Sequence, residues 1–481
     1  MVKTIKRSKK NHTAKNEKKQ IKVNELRSLR KIREDVAGID VGSEFHFVAA
    51  PDPSYDNKIV VCRFGCFTPN LKECVDWLVK CKVGSVAMEA TGVYWIILYS
   101  MLRNAGIEVL LVNPRDFRKM KDKKTDVSDA EYLQLYHSYG FCEGAVIPEQ
   151  KIAELRTFTR LREQSIEDAA TCIQRMQKAL INMNLRLDNA IDDLSGVTGM
   201  AIIRTILSGE RDPKILARLR DKRCKKSLQE IEDSLNGFYQ NDQLFALERA
   251  VRQYDFHLAE LDKCDAMIQA QLSIFSSHKN HVEPEKENTS NKGSKRGPKR
   301  KSPKKPHEFT FDLGKEVTRI TGVDLTQLPG IGASTALTLV AEIGLDMSLW
   351  RSEKEFVSWL GLAPNNRVSG GKILSKRSKK KKKKAAILLR MSASGLYHEA
   401  NDTALGAFYR RKRGQIGPSK AITAAARKLA CYIYRVLSTG KPFVEIGAEE
   451  YRALQKDKYL RRIRKRVSEW GFELTPVQAA A

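Results

Sequence analysis

Four carboxylates near the start of the chain stand in settings that could gather them at one metal site. Asp40 lies in GIDVGSEFHFVAA, Glu89 in SVAMEATGVYW, and Asp126 and Asp129 in KKTDVSDA. Each falls where an apolar, strand-like run ends and a glycine or a helix start follows, which is where α/β sheets build their sites. Asp126 and Asp129 are three apart and share one face of a helix. Carboxylate oxygens suit Mg²⁺, with Mn²⁺ as the alternative, and such an ion bridges phosphate oxygens and orders attacking and leaving groups. Taken singly, Asp126 also reads as a helix N-cap and Asp40 as a turn acid.

Two later segments carry chemistry of a different kind. Ser369 is followed by Gly370 and Gly371, and nine of the thirteen residues from Lys372 to Lys384 are Lys or Arg, among them Lys376, Arg377, Lys379 and Lys380. A serine beside Gly-Gly has an unhindered hydroxyl, useful for in-line attack on phosphorus. No histidine base is evident nearby, so activation would come from a metal and from cations around the pentacoordinate transition state. The same tripeptide is also the sequence of a plain turn. In LPGIGASTA, Gly330 and Gly332 allow close backbone approach to a phosphate ahead of a helix N-terminus, the helix–hairpin–helix mode of sequence-independent DNA contact. A packing turn without a ligand is the competing reading.

The elements that must position these residues change along the chain. Residues 1–34 are a basic, polar arm; 1–33 hold 13 Lys and Arg against two Glu. Residues 35–148 alternate: three strands, an amphipathic helix from Leu71, a buried strand SVAMEA, a helix stopping at glycine, a buried strand IEVLLVNP and a helix from Asp126. That is the order of an α/β RNase H-like (RuvC-like) domain. Residues 149–275 hold two long helical patterns joined by a helical excursion, expected to form an antiparallel coiled-coil arm. Residues 276–311 form a Lys-, Ser- and Pro-rich linker, 312–445 a second, mainly α-helical domain, and 446–481 a charged helical tail.

Composition sets the class of partner. The 481 residues carry a net charge of +29 with a pI near 9.7, which points to nucleic acid rather than a membrane surface. The N-terminus has no apolar core of a signal peptide, and the most apolar stretch, Ser85–Leu102, is interrupted by Glu89. Nine cysteines suit reduced thiols; Cys62, Cys66, Cys74 and Cys81 match no paired zinc spacing and are expected to be buried thiols. The expected location is cytoplasmic, on DNA or the nucleoid.

The chain resembles the insertion-sequence transposases with an N-terminal RuvC-like DEDD domain and a C-terminal transposase domain, a family regarded as bridge-RNA-guided serine recombinases. GIDVG, EATGVYW and KTDVSDA match its acidic motifs in order, and LPGIG and the later SGG match its transposase domain, over about residues 35–150 and 318–445. The resemblance implies excision and insertion of a mobile element by Mg²⁺-dependent strand exchange through a serine–DNA intermediate. It assigns Asp40, Glu89, Asp126 and Asp129 to the metal and Ser369 to the nucleophile. It further implies a structured guide RNA, DNA of element ends and target, and a dimer or tetramer whose active sites combine domains of two subunits. Two rivals are a RuvC-like metal-dependent branched-DNA endonuclease and a non-catalytic nucleic-acid-binding protein.

Overall fold

The computed structural model describes residues 30–114, 126–142, 144, 147–278, 307–364, 367–370, 372–375, 383–398 and 402–475, with backbone alone for 126–128, 367–369 and 372–375. The chain divides into two compact units, Met1–Ile147 and Pro148–Ala481. Most of the basic arm and of the linker lies outside the described residues.

The first unit is built on a five-stranded mixed sheet in the order β3-β2-β1-β4-β5: β1 (Val36–Val41), β2 (Phe45–Asp52), β3 (Lys58–Gly65), β4 (Ser85–Glu89) and β5 (Glu108–Val112). The first three strands form an antiparallel meander, and β1, β4 and β5 run parallel. Parallel neighbours need crossovers, supplied here by α1 (Thr68–Lys80) and α2 (Trp95–Asn104). Alternation along β1 and β4 sends Ala37, Ile39, Val41, Val86 and Met88 into one core with Leu71, Leu78, Leu98 and Leu102 of those helices. The opposite face is covered by α3 (Asp126–Ser138), where Leu133 and Tyr136 meet Ala87 and Val112. This mixed sheet with its helices fits the expected RNase H-like domain. Cys74 and Cys81 are buried, whereas Cys62 and Cys66 are only partly so; burial pushes the Cys74 thiol up to about 12.

The second unit is mainly helical. Its longest elements, α4 (Gln150–Asn182) and α9 (Asn241–Ser273), lie side by side. Their bonded pairs run Gln271 to Lys151, Arg162 to Asp265, Arg175 to Gln253 and Asn182 to Gln243, so the two helices are antiparallel. Between them the chain forms α5 (Leu187–Ala190), α6 (Val197–Leu207), α7 (Pro213–Ala217) and α8 (Leu228–Ser234), which share one apolar core with the distal ends of the pair.

After the linker come α10 (Leu313–Thr321), α11 (Ala333–Ile343), α12 (Glu353–Leu360), a hairpin of β6 (Arg367–Ser369) and β7 (Lys372–Ser375), α13 (Lys384–Gly395), α14 (Ala404–Ile416), α15 (Pro418–Thr439) and α16 (Gly447–Glu469). Arginines of one helix reach the carbonyl end of another: Arg156 of α4 donates to the Ala341 and Glu342 carbonyls, and Arg319 of α10 to those of Leu272 and Phe275. Cations are favourable there because the last carbonyls of a helix have no partner within it.

Candidate acidic face and hairpin serine

Register and pleat place the acids of the first unit. Gly38 pairs with Ala87 and Ile39 with Met88 in the parallel β1–β4 ladder, so the next pair along is Asp40 and Glu89. Ile39 and Met88 point toward α1 and α2; by alternation Asp40 and Glu89 project toward α3. A Cβ at Gly38 would fall well inside contact distance of the Ala130 carbonyl oxygen and the Gln134 nitrogen, so glycine is what lets α3 lie directly on β1. That approach brings Asp129, beside Ala130, onto the face that carries Asp40 and Glu89. The helix is further fastened by Gln134 Nε2, which donates to the Val36 carbonyl at 3.2 Å, and by a 2.8 Å bond between Ser85 Oγ and His137 Nε2.

Glu89 and Asp129 are each 8% exposed and Asp40 is half-buried. The Thr91 hydroxyl donates to Glu89 Oε1 at 3.2 Å. The turn after Glu89 is held by Gly92 at φ 54°, whose carbonyl accepts from the Trp95 indole at 3.1 Å. The EATGVYW segment thus supplies the acid, the hydroxyl that orients it, the left-handed turn residue and the ring that pins the turn. Sequence reasoning found the acid but missed Gly38 and Thr91; a glycine two residues before a strand-end acid is the signal for the first.

The side chain of Asp126 lies outside the described residues. Among the described residues, no group of three His, Cys, Asp or Glu side chains is arranged to hold a metal ion. Asp40, Glu89 and Asp129 therefore share a face without closing into a ready-made cluster. In kind they fit a hard divalent cation: oxygen donors only, largely desolvated, on one side of a sheet.

In the second unit Ser369 is the last residue of β6 and pairs with Lys372, the first of β7. Gly370 follows at φ 54°, a conformation that favours glycine. Ser369 thus stands at the turn end of this antiparallel pair, and its side chain, like that of Lys372, lies outside the described residues. Gly371, Lys376, Arg377, Lys379 and Lys380 lie outside them altogether. Two lysines that end the same run are engaged within the unit: Lys384 pairs with Glu163, and Lys383 stands 3.0 Å from the centre of the Trp359 ring.

Gly330 sits in the turn between α10 and α11 at φ 77°, and a Cβ there would meet the Ser392 carbonyl oxygen at 2.9 Å. Gly332 is the N-cap of α11. A packing reason for Gly330 is therefore present whether or not the turn also meets a phosphate.

Residues 37–184 match the family model for DEDD transposases of the IS110 type, and residues 324–410 match that of the transposase IS116/IS110/IS902 family. The chain carries IS110-family transposase domains. All four acids fall within the first match, and Ser369 within the second. Transposases act on DNA, and RNase H-like domains of the DEDD kind generally use divalent metal ions. No curated protein matches the chain. Among the described residues no helix of this chain is long and apolar enough to cross a membrane.

Proposed function

We propose that this transposase excises and inserts its mobile element by Mg²⁺-dependent strand exchange, with Ser369 as the nucleophile and a structured RNA pairing with element ends and target. One observation carries the reading. A single chain combines an acid-bearing sheet face in one unit with a serine at a hairpin tip in the other, and both lie within the matched transposase domains.

A cation held by Asp40, Glu89, Asp126 and Asp129 would neutralise phosphate charge and polarise the phosphorus–oxygen bond. The protein's own groups supply the rest. Thr91 holds the Glu89 carboxylate in one orientation. Attack by the Ser369 oxygen forms an oxygen–phosphorus ester as one DNA phosphorus–oxygen bond breaks and frees a hydroxyl end. Attack by an incoming hydroxyl end reverses the exchange and restores the serine, so phosphodiester energy is kept and no external energy source is needed.

Oligomeric assembly, with acids and serine drawn from different subunits, is part of the proposal. Exposed Val93 and Ile97, on the turn and helix just after Glu89, support it, because apolar side chains grouped beside a polar site commonly mark a protein contact.

The test uses full-length protein, element-end DNA, Mg²⁺ and RNA transcribed from the element's flanks. Wild type should give a denaturation-resistant protein–DNA adduct. Ser369→Ala should lose both the adduct and cleavage while still binding DNA. Cleavage by Ser369→Ala would replace this reading with the metal-dependent endonuclease. Protein purified from its host without a specific RNA would remove the guide.

A further inference from the structure

The second unit carries a basic site outside the acids, the serine and the turn glycines. Between α14 and α16 lies an open pocket of about 430 Å³, lined by Ala407, Arg410, Arg411, Tyr451, Arg452 and Gln455. Three of the six are arginines and none is acidic. The helices are joined beneath it by Ala404, Ala407, Ala448 and Tyr451. Two of its groups are fixed: Arg411 donates to the Tyr451 hydroxyl at 2.8 Å, and Arg410 to the His398 carbonyl at 3.3 Å. Lys428 lies 5.2 Å from the Tyr451 ring centre, and burial together with Arg411 lowers its pKa.

The pocket continues along α16. From Arg452 to Arg466 the sequence has eight Lys or Arg and one acid, Asp457. At helical spacing Arg452, Gln455, Tyr459, Arg462, Arg466 and Trp470 fall on one stripe, about 20 Å long at 1.5 Å per residue between the outer arginines. Tyr459 is 63% and Trp470 64% exposed, and Arg466 stands 5.3 Å from the Trp470 ring centre. Arg461 and Arg464 lie on the opposite face, and Arg461 is paired with Asp457 at 2.6 Å. A helix exposed only to water gains nothing from solvated aromatic rings in register with arginines. Alternating cations and flat rings are what a single strand requires, since its backbone is charged and its bases are free to stack.

We propose that this pocket and stripe bind single-stranded nucleic acid, with phosphates at Arg410, Arg411, Arg452 and Arg462 and bases stacked on Tyr459 and Trp470. The site begins at the last residues of the matched transposase domain and extends beyond it. It does not depend on the serine chemistry, so either can fail alone.

The experiment measures binding of a labelled oligo-dT strand, an oligo-U strand and a DNA duplex to the full-length protein across a salt series. Arg452→Gln/Arg462→Gln should weaken both single strands about tenfold and reduce the salt slope by roughly 1.4, the value for two single-strand phosphate contacts. Arg461→Gln/Arg464→Gln removes the same charge from the opposite face and should change affinity less than about twofold. Tyr459→Ala/Trp470→Ala should cost about fivefold or more on single strands and leave the duplex unchanged. All six positions are exposed, and unchanged helical circular dichroism verifies folding. Equal losses from the two charge variants would reduce the stripe to diffuse attraction. Equal losses on duplex and single strand from the aromatic variant would make it a duplex surface. Either result overturns the proposal. Ser369→Ala should bind all three probes like wild type, which separates this outcome from that of the strand-exchange reading.

Discussion

The two units place charge by different means. In the first, Asp40 and Glu89 are set by strand register, and Asp129 by a helix pressed onto a glycine, so backbone geometry alone fixes where the acids stand. In the second, the notable charges are long cations on helices: Arg156 and Arg319 reach across to carbonyl ends, and Arg410, Arg411 and Arg452 border an open pocket. Like-charged carboxylates repel and must be held by something stiffer than a side chain, and a sheet with a packed helix provides that. A polyanion's phosphates are numerous and forgiving, so flexible guanidinium groups on a helix surface suffice for them. Chemistry is thus expected to be fragile in the first unit, and binding redundant in the second.

The sharpest way to break that division is Glu89→Gln. It removes one negative charge at the end of β4 and leaves shape and the Thr91 contact nearly intact. Strand cleavage should fall on the order of 10³-fold, as a few kcal/mol of transition-state stabilisation is lost. DNA affinity should stay within about twofold, because binding rests on cations elsewhere. A parallel loss of affinity would show that the acids and the basic surface are not separate functions. Next in size is Gly38→Ala. The added methyl collides with backbone of α3 rather than with a movable side chain, so about 1–3 kcal/mol of stability should go. Hydrogen exchange should show the loss in α3 and β1 with α4 and α9 protected as before. Uniform loss across both units would mean that they do not unfold separately.

How much of this was legible in the sequence follows from the same contrast. Strands β1 to β5 and helices α1 to α3 could be read in order, because a buried parallel strand is a continuous apolar run and a crossover helix has a clear 3.6-residue period. The acids were readable for the same reason: Asp40 and Glu89 are polar residues at the ends of such runs. Their pairing in register was not, since only the fold says which strands are neighbours. The hairpin around Ser369 was hidden because three- and four-residue strands rich in Lys and Ser carry too little alternation to register. The stripe on α16 was read only as a charged tail. Its meaning depends on α14, which lies about thirty residues earlier and closes the other side of the pocket.

The smallest expected effect is one of pH, and it tests whether the stiffness of the first unit has a cost. His46 and His137 are both buried there, and burial pushes both below the usual histidine value; for His137 nearby Arg33 adds to it, against Glu108 and Asp35. A histidine that folding keeps neutral contributes full stability above its unfolded value near 6.5. That contribution shrinks as pH falls through 6.5 toward the folded value, because only the unfolded chain then takes the proton. The second unit behaves otherwise. Its Glu353 is held below the usual carboxylate range by Arg435, so its contribution fades only below about pH 4.5. Between pH 7 and 5 exchange protection should therefore decline in α3 and β2 and hold in α12 and α15. His137→Gln, which can keep the bond to Ser85 without titrating, should flatten the decline in α3. If α3 stays fully protected at pH 5, the buried histidine is not what couples this helix to acid, and the acid-bearing face would survive conditions that protonate the free imidazole.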